Sequence, residues 1–368
     1  MIHLTRGDLL KADVDALVNT VNTVGVMGKG VALQFRQAYP RNYEEYRRAC
    51  KQGSVELGRM FVFDAGQLVR PRYIINFPTK KHWKSKSRLG DIDAGLLDLV
   101  RVIKELGIKS IAVPPLGAGS GGLNWSDVRP RIEKALGGLS DVDVMLYVPE
   151  GAPAASAMKV ATNKPRMTAG RAALIGLLER YVQPGLGVST GPGASALEIQ
   201  KLLYLLQAIG ENLRLNFVAS HYGPYAENVN HVLRALEGHY IRGYGDRSRP
   251  VSEAAPIELL PGAAEEADDF LNTLPDTLQR FRQVIKLIDG FESPYGLELL
   301  ATVHWVATQV DRAARKDADL TVRLVQAWSR RKQRLFTERH IEIAWQRLKD
   351  ERWLDPEALA QPTEREPV

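Results

Sequence analysis

Two glycine-rich stretches contain the residue types that could bind a phosphorylated ligand. The first reads NTVNTVGVMGKGVALQFRQAYP from Asn19 to Pro40, and the second reads AVPPLGAGSGGLNWSDV from Ala112 to Val128. Ordering glycine costs more conformational entropy than ordering other residues, so clustered glycine usually marks backbone that approaches a partner closely. Each stretch lies between a strand-like run and a helix-like run, where backbone N–H groups and a helix N-terminus can hold phosphate. We therefore predict two phosphate-binding loops.

A carboxylate near the N-terminus adds a second kind of contact. Asp8, in TRGDLL at the end of the first strand-like run, could accept a hydrogen bond from an adenine amino group. One such carboxylate together with two phosphate loops indicates a nucleotide that carries a diphosphate. Neither loop is a Walker A motif, because GVMGKGVA lacks the GKS or GKT ending at the required spacing. Neither is a dinucleotide-binding fingerprint in the expected place.

A basic segment, Lys80–Arg88, supplies a third group of candidates. It reads KKHWKSKSR, and five of its nine residues are basic. Composition alone favours an exposed, hydrated loop. The alternative is a contact with single-stranded DNA, in which Lys81, Lys84 and Lys86 meet phosphates and Trp83 stacks on a base. We predict that this segment contacts DNA.

The elements that position these residues alternate between strand and helix over residues 1–149. Short runs rich in Val and Ile predict strands: IHLTRG, ALVNT, MFVFD, RYIINF, SIAVPPL and DVMLYV. Helical spacing of apolar residues predicts helices at Val31–Tyr39, Tyr43–Lys51, Ile92–Leu106 and Ser126–Leu136. This alternation is typical of an α/β sheet covered by helices, which binds ligands at the carboxyl ends of its strands.

The rest of the chain differs in composition. Residues 151–168 are rich in Ala, Pro and small polar residues and show no periodicity, which predicts a linker. A Gly/Pro stretch, Gln183–Ser195, interrupts a second part whose apolar spacing is mostly helical. We therefore predict an α/β domain over residues 1–150, a linker over 151–168 and a mainly helical domain over 169–368.

Composition and charge narrow the class of protein. The 368 residues suffice for two domains. There is no run of about 18 apolar residues and no signal-like N-terminus, so we predict a cytoplasmic protein without membrane contact. One cysteine and seven scattered histidines predict no disulfide, no metal and no cofactor. The net charge of +6 falls wholly within residues 1–155, which fits an anionic substrate there.

Taken together, the motifs of residues 1–150 resemble the macrodomain family, whose members bind ADP-ribose. RGDLL, LVNTVNTVGVMGKGVALQF, NFPTKKHW and VPPLGAGSGGLNW carry the resemblance. TKKHWKSK is similar to the branch that contains the human terminal ADP-ribose glycohydrolase and the bacterial DarG antitoxins. The resemblance implies a three-layer α/β fold with a mixed sheet and helices on both faces. It also implies ADP-ribose on a DNA base, thymidine above all, as the substrate.

The resemblance also implies which residues bind the ligand. Asp8 and Leu9 would hold the adenine, and Asn22 would face the distal ribose. Loop 1, residues 25–30, would curve over the diphosphate and distal ribose, and loop 2, residues 115–123, would cradle phosphate with its amides. Asn19 either belongs to the site or only holds the strand end. The implied set is Asp8, Leu9, Thr20, Asn22, Gly25, Val26, Met27, Gly28, Gly30, Pro115, Gly117, Ala118, Gly119, Ser120, Gly121, Gly122 and Leu123.

Lys80 matches the catalytic lysine of this branch. As a neutral amine it could attack the anomeric carbon of the distal ribose, and as an ammonium it could assist the leaving base electrostatically. The human member of the branch has an aspartate in loop 2 where this chain has Gly121, so the general base stays unassigned. The resemblance thus implies a DNA ADP-ribosyl glycohydrolase. The alternative is a reader that binds ADP-ribose without cleaving it.

A resemblance of a different kind covers about residues 195–245. EIQKLLYLLQAIG and NFVASHYGPYAENVNHVLRAL are similar to the SocA-like, or Panacea, antitoxin domain. This implies that residues 169–368 bind and neutralise a cognate DarT-like ADP-ribosyltransferase toxin. His221, Tyr222 and Tyr225 surround a Gly-Pro turn; they form either a catalytic trio or, as we favour, a turn with packed aromatic rings.

Overall fold

A computed structural model describes residues 1–66, 70–149, 153–183, 193–248 and 253–355. They form two compact units. The first takes in Met1–Asn163 and Gly245–Glu253, and the second takes in Lys164–Tyr244 and the chain from Ala254 onward. Three predicted regions fall partly outside the described residues: the start of the linker (151 and 152), most of the Gly/Pro stretch (184–192) and the end of the helical region (356–368).

The first unit is built on one six-stranded sheet. Its strands are β1 (Ile2–Thr5), β2 (Ala16–Asn22), β3 (Phe61–Asp64), β4 (Tyr73–Lys80), β5 (Ser110–Val113) and β6 (Asp143–Tyr147). They lie in the order β1-β6-β5-β2-β4-β3, and β3 alone of these six runs antiparallel to its neighbour. The predicted α/β fold with a mixed sheet is confirmed.

Helices cover both faces of this sheet because alternate residues of each strand point to opposite sides. Leu17 packs in one apolar cluster and its neighbour Val18 in another. The helices are α1 (Gly30–Ala38), α2 (Pro40–Lys51), α3 (Leu89–Glu105) and α4 (Trp125–Leu136). All four begin one to three residues before the predicted start. Apolar spacing marks buried positions and therefore misses a polar first turn.

Strand β4 continues past Phe77, where the apolar run predicted its end. Pro78 has no N–H to donate, so the ladder with β2 cannot continue regularly there. The register shifts instead: Val21 lies opposite Pro78, and Asn22 lies opposite Lys80. The extra residue, Thr79, donates its hydroxyl to the Val21 carbonyl at 3.3 Å. This irregularity makes Lys80 the last residue of a strand, beside Asn22, and not the first residue of a loop.

Most of the segment predicted as a linker packs against the first unit. The Ala161 N–H donates to the Gln37 carbonyl at 2.8 Å, and the Lys159 ammonium lies 5.2 Å from the centre of the Tyr39 ring. The boundary between the units accordingly falls after Asn163.

The described part of the second unit is mainly helical. Its helices are α5 (Ala169–Val182), α6 (Ala196–Ala208), α7 (Val229–Leu236), α8 (Ala263–Leu271), α9 (Pro275–Ile288), α10 (Pro294–Trp305), α11 (Ala318–Trp328), α12 (Arg330–Leu335) and α13 (Glu338–Asp350). A π-helical turn, Val306–Val310, extends α10. Among the described helices, none combines the length and the apolarity that crossing a bilayer requires.

Short strands, which were not predicted, accompany these helices. β8 (Phe217–Ser220) and β9 (Gly223–Ala226) form a hairpin, while β7 (Gly193–Ala194), β10 (Ile241–Arg242) and β11 (Ile257–Leu259) form an antiparallel sheet. Strands of two to four residues are too short for an alternating pattern to be recognised. The mainly helical character that was predicted is nevertheless confirmed.

Candidate functional site

The candidate site lies at one edge of the six-stranded sheet. The parallel strands β1, β2, β4 and β5 all end there, so the segments that follow them come together. Asp8 follows β1, loop 1 follows β2, the basic segment begins at the end of β4, and loop 2 follows β5. The order of the strands thus gathers the three groups of candidates predicted from the sequence.

Loop 1 is held in a strained course that requires glycine. Gly25 and Gly30 have φ angles of +77° and +60°. Residues that carry a Cβ atom rarely adopt such angles, whereas glycine adopts them readily. Just before the loop, the Thr23 N–H and hydroxyl donate to the Lys81 carbonyl at 3.1 and 2.9 Å. The Met27 side chain is fully buried in an apolar cluster, so this side chain anchors the loop.

The Asn22 side chain organises loop 1 from inside. Its Oδ1 atom accepts hydrogen bonds from the N–H groups of Val24 and Val26 at 3.1 and 3.2 Å, and its Nδ2 atom donates to the Val26 carbonyl at 2.6 Å. The Tyr46 hydroxyl donates to the Asn22 backbone carbonyl. The resemblance implied that Asn22 faces the ribose, but here its amide is engaged with the loop.

Asn19 has a structural role. It is fully buried, and its Nδ2 atom donates to Asn76 Oδ1 at 2.9 Å. Asn76 in turn donates to Asn42 Oδ1 at 2.7 Å. This row of buried amides joins β2, β4 and α2 beneath the site. Of the two interpretations left open for Asn19, support of the strand is the one that these contacts favour.

The part of the site predicted to bind adenine is built on a short helical turn. Asp8 caps the 3₁₀ turn Leu9–Lys11 by accepting the Leu10 N–H at 3.0 Å. The pKa values of Tyr39 and Tyr147 are raised, mainly by burial and then by the Asp8 charge, so both phenols lie close to this carboxylate. Leu9, the next residue, is buried in an apolar cluster that includes Tyr147.

Loop 2 leaves consecutive amides unused. The N–H groups of Ala118, Gly122 and Leu123 close the loop on itself by donating to Pro115, Gly119 and Gly117 carbonyls at 3.0–3.1 Å. The N–H groups of Gly119, Ser120 and Gly121 donate no hydrogen bond within the described part of the chain. Successive unpaired amides of this kind form an anion-binding concavity.

No side chain can be accommodated at position 121 in this loop conformation. A Cβ atom on Gly121 would lie 2.4 Å from the Gly117 carbonyl oxygen and 2.4 Å from Ser87 Oγ. The Ser87 N–H also donates to the Gly121 carbonyl at 2.9 Å. Because Ser87 of the basic segment packs beneath loop 2, position 121 requires glycine. This packing explains why the chain lacks an aspartate there.

Lys80 lies directly against loop 2. Its Nζ atom donates to the Ser120 carbonyl at 2.8 Å, next to the unused amides. Partial burial lowers its pKa. Consequently a larger share of this lysine is neutral near pH 7 than of an ordinary surface lysine, which a nucleophile requires.

The other residues predicted to contact DNA face solvent. The side chains of Lys81, Trp83, Lys84 and Lys86 are exposed, with 48% of Trp83 accessible. The Lys84 ammonium lies 4.9 Å from the centre of the Trp83 ring, and the His82 ring lies 5.4 Å from it. These side chains are placed where a nucleic acid strand could reach them. Among the described residues, no group of three or more His, Cys, Asp or Glu could hold a metal ion.

A separate cluster of buried charges supports the β8–β9 hairpin in the second unit. Glu298 accepts hydrogen bonds from Lys332 Nζ at 2.5 Å and from the Arg331 guanidinium. Lys201 donates to the Pro224 carbonyl at 2.6 Å. Burial lowers the pKa of Lys201 to about 7 and that of Lys332 to about 8. Hydrogen bonds bind each ammonium to the fold, so the cluster is structural.

The aromatic residues at the hairpin tip are packed. His221 and Tyr222 meet edge to face at 4.8 Å, and the Arg331 guanidinium lies 4.6 Å from the Tyr222 ring. Tyr225 points elsewhere, since its hydroxyl contacts Glu227 and Asn230. The three side chains do not converge on one point, as a catalytic trio would have to.

Comparison with known proteins identifies the family. Residues 18–132 match the family model of the Macro domain. A DNA ADP-ribosyl glycohydrolase of Thermus aquaticus is 49% identical over 97% of this chain and 95% of its own length. This chain belongs to the DNA ADP-ribosyl glycohydrolases. The macrodomain and the class of enzyme predicted from the sequence are confirmed.

Two further likenesses cover less of the chain. A DNA ADP-ribosyl transferase–DNA ADP-ribosyl glycohydrolase fusion protein of Thermosipho africanus is 37% identical over 40% of this chain and 42% of its own length. The solved macrodomain of Thermus aquaticus DarG is 59% identical, covers 40% of this chain and 99% of that chain, and has a TM-score of 0.40.

Two residues in the site of this DNA ADP-ribosyl glycohydrolase were missed by sequence reasoning. Ser87 lies beneath loop 2 with its hydroxyl buried and without a hydrogen bond among the described residues. Asp246 belongs to the first unit, where its carbonyl accepts the Gly30 N–H at 2.8 Å and its carboxylate accepts Gln34 Nε2 at 2.6 Å. The Gly30 amide is therefore unavailable to phosphate. Asp246 is 212 positions from Gln34, and no local signal reveals such a contact.

Proposed function

We propose that this protein removes ADP-ribose from ADP-ribosylated DNA bases, thymidine above all, with Lys80 as the catalytic residue. One observation supports this most directly: Lys80 Nζ lies 2.8 Å from the Ser120 carbonyl, beside three consecutive unpaired amides. Amides placed in this way would hold the diphosphate while the amine reaches the distal ribose. The family to which the chain belongs supports the same reaction.

The reaction follows from these positions. The amides of Gly119, Ser120 and Gly121 bind phosphate oxygens, and Asp8 accepts a hydrogen bond from the adenine. As a neutral amine, Lys80 attacks the anomeric carbon: a carbon–nitrogen bond to Lys80 forms, the bond to the base breaks, and the departing base takes up the proton that the amine loses. Water then breaks the bond between Lys80 and the carbon, which releases ADP-ribose and restores the amine. As an ammonium, it instead stabilises the charge on the departing base. The lowered pKa favours the first course.

Lys80→Ala is expected to slow release of ADP-ribose from a thymidine-ADP-ribosylated single-stranded oligonucleotide by at least about 10² to 10³-fold. Affinity for free ADP-ribose, measured by calorimetry, should change little. If the amine attacks, the reaction rate of the native protein rises with pH until the pH exceeds the pKa of Lys80. Partial burial holds this pKa below 10.5, the ordinary value for lysine. If the ammonium acts, the rate falls over that range, and Lys80→Arg retains activity.

Lys84→Ala is the matched control, because it removes a lysine from the same segment at an exposed position. We infer that Lys81, Trp83, Lys84 and Lys86 contact the DNA strand, so this variant should raise KM for the oligonucleotide and leave kcat unchanged. Equal loss of kcat in both variants would show that general positive charge, and not Lys80, drives the reaction. No release by the native protein would make it a reader of ADP-ribose.

We also propose that the second unit binds and neutralises a cognate ADP-ribosyltransferase toxin of the DarT type. The Thermosipho africanus relative joins a DNA ADP-ribosyl transferase to a glycohydrolase in one chain. This fusion supports a functional association between the two enzymes. The second unit has a large apolar core of its own.

Hydrogen exchange of the full chain, with and without the purified toxin, tests this second proposal. Slower exchange is expected for amides within residues 164–244 and 254–355, and no change is expected in loop 1 or loop 2. Protection confined to residues 1–163 would assign toxin binding to the macrodomain. A mixture that shows no protection anywhere would exclude direct binding.

A further inference from the structure

A cavity of about 640 Å³ lies within the second unit, apart from the buried charges described above. Pockets that bind small molecules commonly measure about 300–1,000 Å³. The wall of this cavity comes from α6, β8, the end of α10, the π-helical turn and the chain after α13. Together with the short turn Arg312–Arg315, which contributes Arg315, these segments converge on one space.

Aromatic rings dominate the wall. Tyr204 stands at the centre, with its ring 5.2 Å from Phe217, 5.6 Å from His304 and 5.9 Å from Trp305. Trp353 meets His304 edge to face at 6.0 Å. Trp305 and Phe217 are only partly buried, so both side chains remain partly accessible to solvent. Flat, accessible rings around a cavity are typical of sites that stack on bases.

One cation lies at this cavity without an acidic partner. Arg315 donates from Nε to the Ala307 carbonyl at 3.2 Å, and it forms no ion pair with any residue in the described part of the chain. Burial and the nearby Arg315 charge lower the pKa of His304 to about 4. His304 is therefore neutral near pH 7, and its Nδ1 atom lies 2.7 Å from the Tyr204 hydroxyl. The guanidinium remains the lone positive charge among the lining residues.

The backbone is distorted where it borders the cavity. The turn Val306–Val310 is π-helical, a rare conformation that recurs at functional sites. It presents Thr308 and Gln309 to the cavity, and Gln309 is exposed. Another part of the lining is held by Gln207, which exchanges two hydrogen bonds with the Leu215 backbone at 2.8 and 2.9 Å. The cavity thus combines a fixed segment with a carboxamide, that of Gln309, which forms no hydrogen bond to the part of the chain that the structure describes.

We propose that this cavity binds a nucleotide, with the base stacked between the accessible aromatic rings and the phosphate paired with the Arg315 guanidinium. The carboxamide of Gln309 is placed to hydrogen-bond a base edge. Stacking rings with an unpaired guanidinium suit a base that carries phosphate better than they suit a peptide, for which an open backbone edge or an extended apolar groove is expected. The nucleotide is either free or part of a single strand.

Calorimetry of the full chain, first without and then with ADP-ribose, tests the proposal, because Arg315→Gln distinguishes binding at the cavity from binding at the macrodomain. The probes are thymidine 5′-monophosphate, thymidine and an eight-residue oligothymidylate. We expect saturable binding of the monophosphate, weakened about tenfold by Arg315→Gln and largely restored by Arg315→Lys. Thymidine should bind more weakly and should be insensitive to Arg315→Gln. The oligonucleotide distinguishes a free nucleotide from a strand: tighter binding that still depends on Arg315 indicates DNA.

Arg312→Gln is the control, because Arg312 is exposed on the same short turn and does not line the cavity. Trp305→Leu is the second variant and should weaken both the monophosphate and thymidine. The proposal is overturned if no probe binds saturably, or if Arg312→Gln weakens binding as much as Arg315→Gln. It is also overturned if Arg315→Gln releases the toxin while no nucleotide binds, since the cavity would then be a protein contact. Release of ADP-ribose from DNA should be unaffected throughout, so failure here is separable from failure of the proposed hydrolysis.

Discussion

Gly121→Ala is expected to lower both the affinity for ADP-ribose and the rate of its release from DNA by about 100-fold or more. The added Cβ would lie 2.4 Å from the Gly117 carbonyl oxygen, which is backbone and cannot rotate away, and 2.4 Å from Ser87 Oγ. Relief requires loop 2 to move by roughly 1 Å, a displacement that costs on the order of 10²-fold when it misplaces reacting groups. Lys80 would lose its contact with Ser120 at the same time.

The measurement is calorimetric affinity for ADP-ribose together with the rate of release from the modified oligonucleotide. Gly138→Ala is the control, because a Cβ there meets open space within the same unit and the residue lies outside the site. If Gly121→Ala behaves like this control, loop 2 is not held as described. The same clash implies that Gly121→Asp cannot supply the missing general base, since the aspartate would displace the loop that binds the substrate.

Glu298→Gln is expected to destabilise the second unit by about 3–5 kcal/mol. The carboxylate is the acceptor for both Arg331 and Lys332, and Lys332 is fully buried. Neutralising the carboxylate leaves a buried ammonium with a hydrogen bond to the Thr302 hydroxyl at 2.9 Å but no opposite charge. Unpaired buried charge is among the few causes of so large an effect.

Urea unfolding followed by tryptophan fluorescence measures this effect, because four of the six tryptophans lie in the second unit. Asp350→Asn, which alters an exposed carboxylate on α13, should change the free energy of unfolding by less than about 0.5 kcal/mol. Lys332→Met added to Glu298→Gln should recover part of the loss, since it removes the unpaired charge. If the double variant is less stable than Glu298→Gln alone, charge pairing is not what Glu298 provides.

The sequence predicts the parts of this protein that depend on local pattern. Helical spacing located α1 to α4 to within three residues, and clustered glycine located both loops. The contacts that complete the site lie between distant residues. Ser87 beneath Gly121 and Asp246 at Gly30 are brought together by the fold and have no spacing to reveal them. Lys201 and Lys332 were missed for a different reason: a lysine in a sequence indicates solvent, and both are buried.

The irregular pairing of β2 and β4 has a consequence for the evolution of the active site. Lys80 stands opposite Asn22 because Thr79, which follows Pro78, is left out of the pairing. If another residue at position 78 allowed regular pairing, Thr79 would stand opposite Asn22, and Lys80 would shift by one position to the other face of the sheet. Pro78, which takes no part in the reaction, thus determines that the side chain of Lys80 lies on the face of the sheet where the reaction is proposed to occur. A substitution of Pro78 that restored regular pairing would therefore abolish activity, although every residue of the active site would be unchanged.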